Sequence, residues 1–477
     1  MKMSYRSTNP YTGEVLAEFP YATDEEVDKA LELAHETFQT WSRTSLAERA
    51  AILRRAADIA EDRASELGAL ATLEMGKLIG EATGEAGNTV PTMLRWLADE
   101  AENILAPRPV SSTAAPFEGY IAYRPEGVVV EIEPWNFPYY QAIRGFAPAM
   151  LCGNTVILKH ASILPQCAAA IVHVLYDAGL PRGVWQNLYA THAQVERLIS
   201  DDRVRIVTLT GSEAAGAKIA QLASRHLKKS VMELGGSDPF IILDDADIEA
   251  TIQLAIMGRC FNAGQVCASP KRMIVPDALY DRFVAGLKES TAQLRPGDPA
   301  AEDTTVPPMS SREQAATVND QIRRAIEGGA SATPLGHIVP EGDTWVQPTL
   351  LENVERDNPI FYEEIFGPVW SVYRVSSEEE AIRLANDSCY GLGGTVHSVN
   401  VAHAARVAAR VDTGTVAINS PVPAVPAGMP FGGVKRSGFG REMGYEGVRE
   451  FANIQSILLP EGISAAEFLS SLSGKES

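Results

Sequence analysis

The sequence predicts an α/β protein with two parallel-sheet units, a helical opening layer and a small β arm. Three observations carry this. Between Gly127 and Leu234, buried-type β runs alternate with helical stretches, and a second alternation follows Gly236. Pro107 and Pro109 break a long helical region, and two short β runs follow them before the first alternation begins. Alternation of this kind calls for parallel sheets covered by helices. A chain of 477 residues also exceeds what one simple core supports, so two or three domains are expected.

The elements follow in order. Thr23 and Glu26 form a capping-box pattern, and Val27, Ala30, Leu31, Ala34 and Phe38 repeat behind it at helical spacing. A second helix starts near Ser45 and carries Leu46, Ala50, Leu53, Ala57 and Ala60. Helical pattern runs on from Leu70 to Glu74, where Gly76 interrupts it, and resumes from Glu81 to Asn103, with Pro91 as a break or a fresh start. Val110 to Tyr123 reads as two strands separated by small polar residues, either an oligomerisation arm or a plain surface hairpin. The first alternation predicts strands at 128–132, 155–159, 184–188, 204–209 and 230–234, with helices between them. The second predicts helices at 247–260, 278–294, 311–328, 378–385 and 402–411, and a strand at 415–419. Pro421 to Pro426 reads as a rigid linker or pocket wall, and the tail beyond Pro460 as small, polar and peripheral.

Ligands of such sheets bind beyond the carboxyl ends of the strands. Four of these ends are chemically rich: Glu133-Pro134-Trp135-Asn136-Phe137-Pro138, Lys159-His160-Ala161-Ser162, the turn from Gly211 to Gly216, and Glu233-Leu234-Gly235-Gly236. The Gly211–Gly216 turn lacks the Gly-x-Gly-x-x-Gly fingerprint, yet it opens a helix and leaves N–H groups for a phosphate. One such coincidence would be weak. Four in one sheet point to one site.

Composition excludes several classes. A net charge of −20 opposes a phosphate backbone, so no nucleic-acid partner is expected. No apolar run approaches the ~20 residues of a membrane span, and the N-terminus lacks a signal-type apolar region, so the expectation is a cytoplasmic protein with no membrane partner. Five scattered cysteines argue against a disulfide framework. No Cys-x-x-Cys pair or His-Glu-x-x-His helix occurs, so no metal is assigned.

The segment Phe261 to Pro270 places Cys267 in a Gly-containing loop between a helix and a strand. Taken singly, the thiol reads first as a small buried hydrophobe. Its meaning changes with the motifs around it. Trp135-Asn136-Phe137-Pro138, Glu233-Leu234-Gly235-Gly236, Gly264-Gln265-Val266-Cys267, Glu364-Ile365-Phe366-Gly367-Pro368 and Pro430-Phe431-Gly432-Gly433-Val434-Lys435 occur in this order. Together they resemble the aldehyde dehydrogenase superfamily, from about Asn9 to Ile457. Leu158-Lys159-His160-Ala161 and Glu233 through Phe240 resemble its bacterial and cyanobacterial succinate-semialdehyde dehydrogenase subgroup.

The resemblance implies a Rossmann-like cofactor domain (1–106 and 124–234), a second α/β catalytic domain (235–440), an oligomerisation region (107–123 and 441–460) and a peripheral tail (461–477). It implies a homodimer or homotetramer acting on a small aldehyde. It makes Cys267 the nucleophile, Asn136 an oxyanion donor and Glu233 the base that activates the hydrolytic water. Trp135 would line the cofactor cleft, Lys159 would meet the adenosine ribose and Ser212 the pyrophosphate. Glu364 and Phe366 would position the nicotinamide ribose, and Gly211, Gly216 and Leu234 complete the cofactor set. Ser162 falls where relatives that prefer NAD often carry a glutamate; without that charge, NADP is expected to be preferred and NAD to be the weaker cofactor. His160 is read as a surface histidine. Arg144 matches an arginine that grips the substrate carboxylate, against the alternative of an ordinary ion pair. Phe261 replaces a second arginine and Ser420 is the one polar group at an apolar mouth, which leaves longer aliphatic or aromatic aldehydes as the alternative substrates. Ser269 stands where some relatives carry a second cysteine, so no redox disulfide is expected. A structural protein on the same fold would have shed Cys267, Asn136 or Glu233, and all three are present.

Overall fold

The computed structural model describes residues 4–111 and 118–473. Its opening layer is helical. Thr23 caps Asp24–Trp41, accepting from Glu26 N–H while the Glu26 carboxylate receives the Thr23 N–H, and Ser45 and Glu48 repeat the device at Leu46–Asp62. Ala64–Met75 ends at Gly76, whose φ of +75° is the left-handed stop that the sequence marks. Pro91 marks a fresh start rather than a break. Ile79–Gly84 passes through a single π turn, Glu85–Thr89, into Val90–Leu105, and Pro91 lies in the first turn of that last segment.

The first alternation forms a six-stranded sheet. Its spatial order is Gly438–Phe439, Lys229–Glu233, Val204–Thr210, Val128–Ile132, Thr155–Lys159, Trp185–Asn187. All neighbours are parallel except Gly438–Phe439, which pairs antiparallel with Met232 and Glu233. The chain builds outward from Val128–Ile132 on one side, then crosses back to its other side at Val204–Thr210. The strand ends at Ile132 and Thr210 therefore flank the crevice where the order reverses. Helix Tyr140–Leu151 is buried along nearly its whole length, and its Phe146 stacks on Trp185 with centroids 4.0 Å apart, clamping the helix to the sheet edge.

The second alternation forms a seven-stranded sheet in the order Ser331–Pro334, Thr349–Glu352, Val369–Val375, Pro270–Pro276, Asp238–Ile242, Gly393–His397, Thr415–Ile418; only its first pair is antiparallel. Pro270–Pro276 is buried throughout, although it carries the cations Lys271 and Arg272 ahead of its apolar run Met273-Ile274-Val275. The arm is a three-stranded antiparallel sheet of Arg108–Val110, Gly119–Arg124 and Asn453–Leu458. Part of the predicted link between its first two strands, 112–117, lies outside the described residues.

Two features depart from the sequence reading. The strand Gly438–Phe439 leaves the second unit and joins the edge of the first sheet beside Glu233. The tail is docked: helix Ala465–Ser473 sets Phe468 against Tyr120 at 6.1 Å, and the Glu118 carboxylate accepts the Ala465 N–H at 2.7 Å.

Candidate active site

The cysteine loop begins where helix Ile248–Cys260 ends. Asn262 (φ 50°, ψ 37°), Ala263 (φ 53°, ψ 32°) and Gly264 (φ +72°) are consecutive left-handed residues. For the two residues with side chains this costs on the order of 1–3 kcal/mol each and persists only where neighbours over-determine it. They do. Glu81 accepts the Asn262 N–H at 2.9 Å, and the Asn262 amide donates to the Asn136 carbonyl at 2.8 Å. Gln265 donates to the Asn262 carbonyl from both its backbone and its side chain, and accepts from Ser310 N–H. A β-carbon at Gly264 would lie 2.6 Å from the Gly367 carbonyl carbon, so the loop rests on the backbone beside Phe366.

Two buried cations fasten the far side. Arg259 donates to Val369 O at 2.7 Å, to Ser269 Oγ at 2.9 Å and to Ile365 O, and burial pulls its pKa down to about 9. Lys271 Nζ meets the carbonyls of Val266 (2.9 Å), Cys267 (2.6 Å) and Ser269 (3.3 Å), and lies 3.3 Å from Glu364. Cys267 is thereby held at a fixed place. Burial pushes its thiol up to about 11, opposed by the charges of Arg144 and Lys271.

Cys267 and Asn136 line one small cavity of about 180 Å³, together with Trp135, Ser212, Leu234, Glu364 and Phe366. The Asn136 amide donates to Gln265 O at 2.9 Å, which orients its nitrogen toward the loop. Trp135 and Phe366 meet edge to face at 5.7 Å across this space. Pro134, Thr210 and Gly211 also line a larger cavity of about 820 Å³ that carries Lys159, Ser162, His192 and Lys218. The two cavities adjoin across Pro134, Thr210 and Gly211 at the sheet's switch point, and Cys267 lines the smaller one. Glu233 is buried at the end of its strand with neither carboxylate oxygen hydrogen-bonded, and a β-carbon at Gly432 would lie 2.5 Å from its Oε1. Burial and the neighbouring Glu442 raise its pKa well above the ordinary range, opposed by Arg144 and Arg441.

The sequence profile of the aldehyde dehydrogenase family matches residues 2–457. The chain belongs to the aldehyde dehydrogenase family. It is 45% identical over 449 residues to the succinate-semialdehyde dehydrogenase [NADP(+)] of Deinococcus radiodurans, spanning 94% of this chain and 93% of that one. It is 40% identical to a probable succinate-semialdehyde dehydrogenase [NADP(+)] of Synechocystis, spanning 95% and 99%. Among solved structures it is similar to the succinic semialdehyde dehydrogenase of Streptococcus pyogenes in complex with NADP+, with TM-score 0.92, 43% identity and coverage of 96% and 100%. A salicylaldehyde dehydrogenase of Pseudomonas putida G7 complexed with salicylaldehyde matches with TM-score 0.91 at 33% identity, over 97% and 95%. The chain is thus an oxidoreductase of this family with the aldehyde dehydrogenase fold, as the five motifs imply.

The cleft has the fittings a dinucleotide cofactor of this family needs. Lys159 has no carboxylate partner among the described residues, and burial lowers its pKa to about 8. Ser162 lines the same cavity wall. Ser212 caps helix Glu213–Arg225, whose first turn lines both cavities and offers N–H groups to an anion there. Glu364 accepts the Gly236 N–H at 3.0 Å and leans on Lys271. Gly211 lines both cavities, whereas Gly216 packs against the Leu234 side chain and lets the helix approach its strand. His160 is not a surface residue. It is buried, its Nε2–H donates to Pro138 O at 2.9 Å and its Nδ1 accepts from Ala161 N–H at 2.8 Å, so burial holds it neutral with a pKa of about 4.

The three substrate candidates are placed differently. Arg144 is buried, and its Nε and one Nη both donate to the same oxygen of Glu442. Its other Nη has no hydrogen bond among the described residues, so one nitrogen rather than a full fork is left for a carboxylate. Phe261 packs on Phe137 at 5.7 Å, and the Ser420 hydroxyl donates to Val422 O at 2.7 Å. Sequence reasoning missed Arg259, Lys271, Asn262 and Glu442. Arg259 and Lys271 sit in apolar-looking segments, and that was the available signal: a cation inside a buried strand or helix end must be paired with something important.

Proposed function

We propose that the chain oxidises succinate semialdehyde to succinate with NADP+ as the preferred cofactor and NAD+ as the weaker one. The observation that carries this is the pair of adjoining cavities, the smaller lined by Cys267 and Asn136 and the larger by Lys159 and Ser162, with no acidic side chain beside that serine in the cavity wall apart from Glu196 and the buried Glu133. The names of the similar proteins from Deinococcus radiodurans and Synechocystis support the same reading.

The Cys267 thiolate attacks the aldehyde carbon, and the oxyanion forms beside the Asn136 amide and the Cys267 N–H. The nicotinamide cofactor supplies the hydride acceptor. A thioester remains on Cys267. Glu233, turning from Gly432 toward the thioester, takes a proton from water, and the hydroxide releases the acid. Arg144 draws the substrate carboxylate with its free Nη. The sheet around Val128–Glu233 serves as the cofactor domain and that around Asp238–Ile418 as the catalytic domain. The exposed Val110, Ile454 and Leu458 of the arm support a homodimer or homotetramer, and five free cysteines support a cytoplasmic setting.

A second reading is a dehydrogenase of neutral aliphatic or aromatic aldehydes. The engagement of Arg144 by Glu442 and the Phe261–Phe137 contact favour it. Steady-state kinetics on succinate semialdehyde, hexanal and benzaldehyde, each with NADP+ and NAD+, decide between them. A higher kcat/KM for succinate semialdehyde, lost in Arg144→Ala, is the expected result; a preference for the neutral aldehydes overturns it.

A further inference from the structure

Behind the catalytic base lies a cluster that the reaction as described leaves unused. Glu131, Glu133, Glu233 and Glu442 are each at most 2% exposed. Of their eight carboxyl oxygens, six have no hydrogen-bond partner: Glu131 Oε1, both of Glu133, both of Glu233, and Glu442 Oε1. The remaining two are fixed. Trp185 Nε1 donates to Glu131 Oε2 at 3.0 Å, and Arg144 holds Glu442 Oε2.

Two cations face this cluster. Arg144 pairs with Glu442, and Arg441 stands beside Glu233 with one Nη already donating to the carbonyls of Gly433 and Gly440. Glu442 is matched by Arg144, which leaves Glu131, Glu133 and Glu233 facing one further cation in a buried region, so these three are not all ionised together at neutral pH. Burial acts first on Glu131, Glu133 and Glu233, and their mutual repulsion adds to it.

The cluster is also continuous. A β-carbon at Gly145 would sit 2.5 Å from Glu131 Oε1 and 3.0 Å from Glu133 Oε1, so both carboxyls crowd one backbone atom that only glycine leaves open. Glu133 feels Glu131, Glu442 and Arg144; Glu233 feels Glu442, Arg144 and Arg441. On its other side Glu133 lines the large cavity beside Thr210, whose buried hydroxyl likewise has no hydrogen-bond partner among the described residues. Glu133 therefore touches both the interior cluster and the cofactor cleft.

Aldehyde oxidation needs such an exit. RCHO + H2O + NAD(P)+ gives RCOO⁻ + NAD(P)H + 2 H⁺, so protons must leave a buried base in every turnover. We propose that Glu133, with Glu131 as its proton-sharing partner, carries the proton taken up by Glu233 to the cofactor cleft by way of Glu442. Each transfer breaks one carboxyl O–H and forms another on the next carboxylate. The last delivers the proton past Thr210 to the cleft. The inference rests on the proposed role of Glu233 as base.

The test uses the full-length enzyme with its best aldehyde and cofactor, comparing Glu133→Gln, Glu131→Gln, Thr210→Val and Glu233→Gln. Reduced cofactor formed in the first turnover is followed by rapid mixing, and the steady-state rate is followed against pH and in deuterium oxide. The expected result for Glu133→Gln is a first-turnover rate within twofold of the parent, a steady-state rate at least tenfold lower, a moved acid limb and a larger solvent isotope effect. Glu131→Gln shifts the same readouts less. Thr210→Val, which leaves every carboxyl in place, reproduces the selective loss should Glu133→Gln not fold. The relay is overturned if Glu133→Gln or, in its place, Thr210→Val keeps the parent's steady-state rate, pH profile and isotope effect, or if first turnover and steady state fall together. A Glu233→Gln variant that still turns over at the parent rate overturns the base assignment itself, a separate outcome.

Discussion

Lys271 Nζ donates to the carbonyl oxygen of Cys267 at 2.6 Å and to that of Val266 at 2.9 Å, from a strand residue only four positions further on. The same ammonium lies 3.3 Å from Glu364, so one buried charge ties the cysteine loop to the cofactor end of the cleft. Lys271→Met keeps the length and removes the charge and donors. Buried carbonyls left without partners cost roughly 1–3 kcal/mol each. The expected outcome is a melting temperature several degrees lower and a kcat reduced by about 10–100-fold, in line with small displacements of a reacting group. Thermal unfolding and steady-state kinetics check it; an unchanged kcat would show that the loop holds its geometry without the lysine.

The thiol itself should report its surroundings. Burial holds the Cys267 thiol up near 11. Only thiolate reacts with an alkylating agent, so inactivation by iodoacetamide should quicken nearly tenfold per pH unit between 7 and 9 and show no plateau there. Arg144 and Lys271 both pull the thiol down, so Lys271→Met should slow alkylation at every pH in that range. A plateau below pH 9 would mean that the thiolate is stabilised by something other than these two cations.

Cofactor preference should follow the charge at position 162. Ser162 and Lys159 line one wall of the large cavity, and Lys159 has no carboxylate partner among the described residues. Ser162→Glu supplies one. The new carboxylate repels a 2′-phosphate and pairs with the lysine, so the ratio of kcat/KM for NADP+ over NAD+ should fall at least tenfold. A ratio that stays put would place the discrimination elsewhere on the cleft, on His192 or Lys218.

What could be read from the sequence had a short-range or a charged signature. The capping boxes at Thr23 and Ser45, the left-handed stop at Gly76 and the five strands from Val128 to Glu233 each follow from local pattern. Cys267, Asn136 and Glu233 stood out in the sequence because their motifs keep fixed company, and the structure sets Cys267 and Asn136 on one cavity wall. The partners that give these residues their properties were not. Glu442 meets Arg144 across 298 positions, and Asn262 N–H meets Glu81 across 181. No local period records such meetings. Two successive left-handed residues with side chains, Asn262 and Ala263, are equally invisible, since neither asks for that conformation unless the surrounding hydrogen bonds impose it. His160 looked exposed because histidine at a strand end usually is; two backbone partners bury it instead.

Stability should carry the mark of the buried carboxyls. Glu131 and Glu133 sit well above the ordinary range in the folded chain, pushed there first by burial and then by neighbouring glutamates, while in the unfolded chain they titrate near 4.5. Above that pH the folded state binds more protons than the unfolded state. Stability therefore falls as pH rises from about 4.5 toward the folded-state values, by at most about 1.4 kcal/mol per unit for each group. Below 4.5 both states are protonated and the contribution is complete. Glu131→Gln and Glu133→Gln remove the proton and the slope together. The expected outcome is a variant melting temperature that gains on the parent from pH 5 to pH 9, most of all in the double variant. Thermal unfolding at matched ionic strength measures it. A difference that is flat across this range would mean that both glutamates stay ionised in the fold, balanced by Arg144, and that the interior stores no proton.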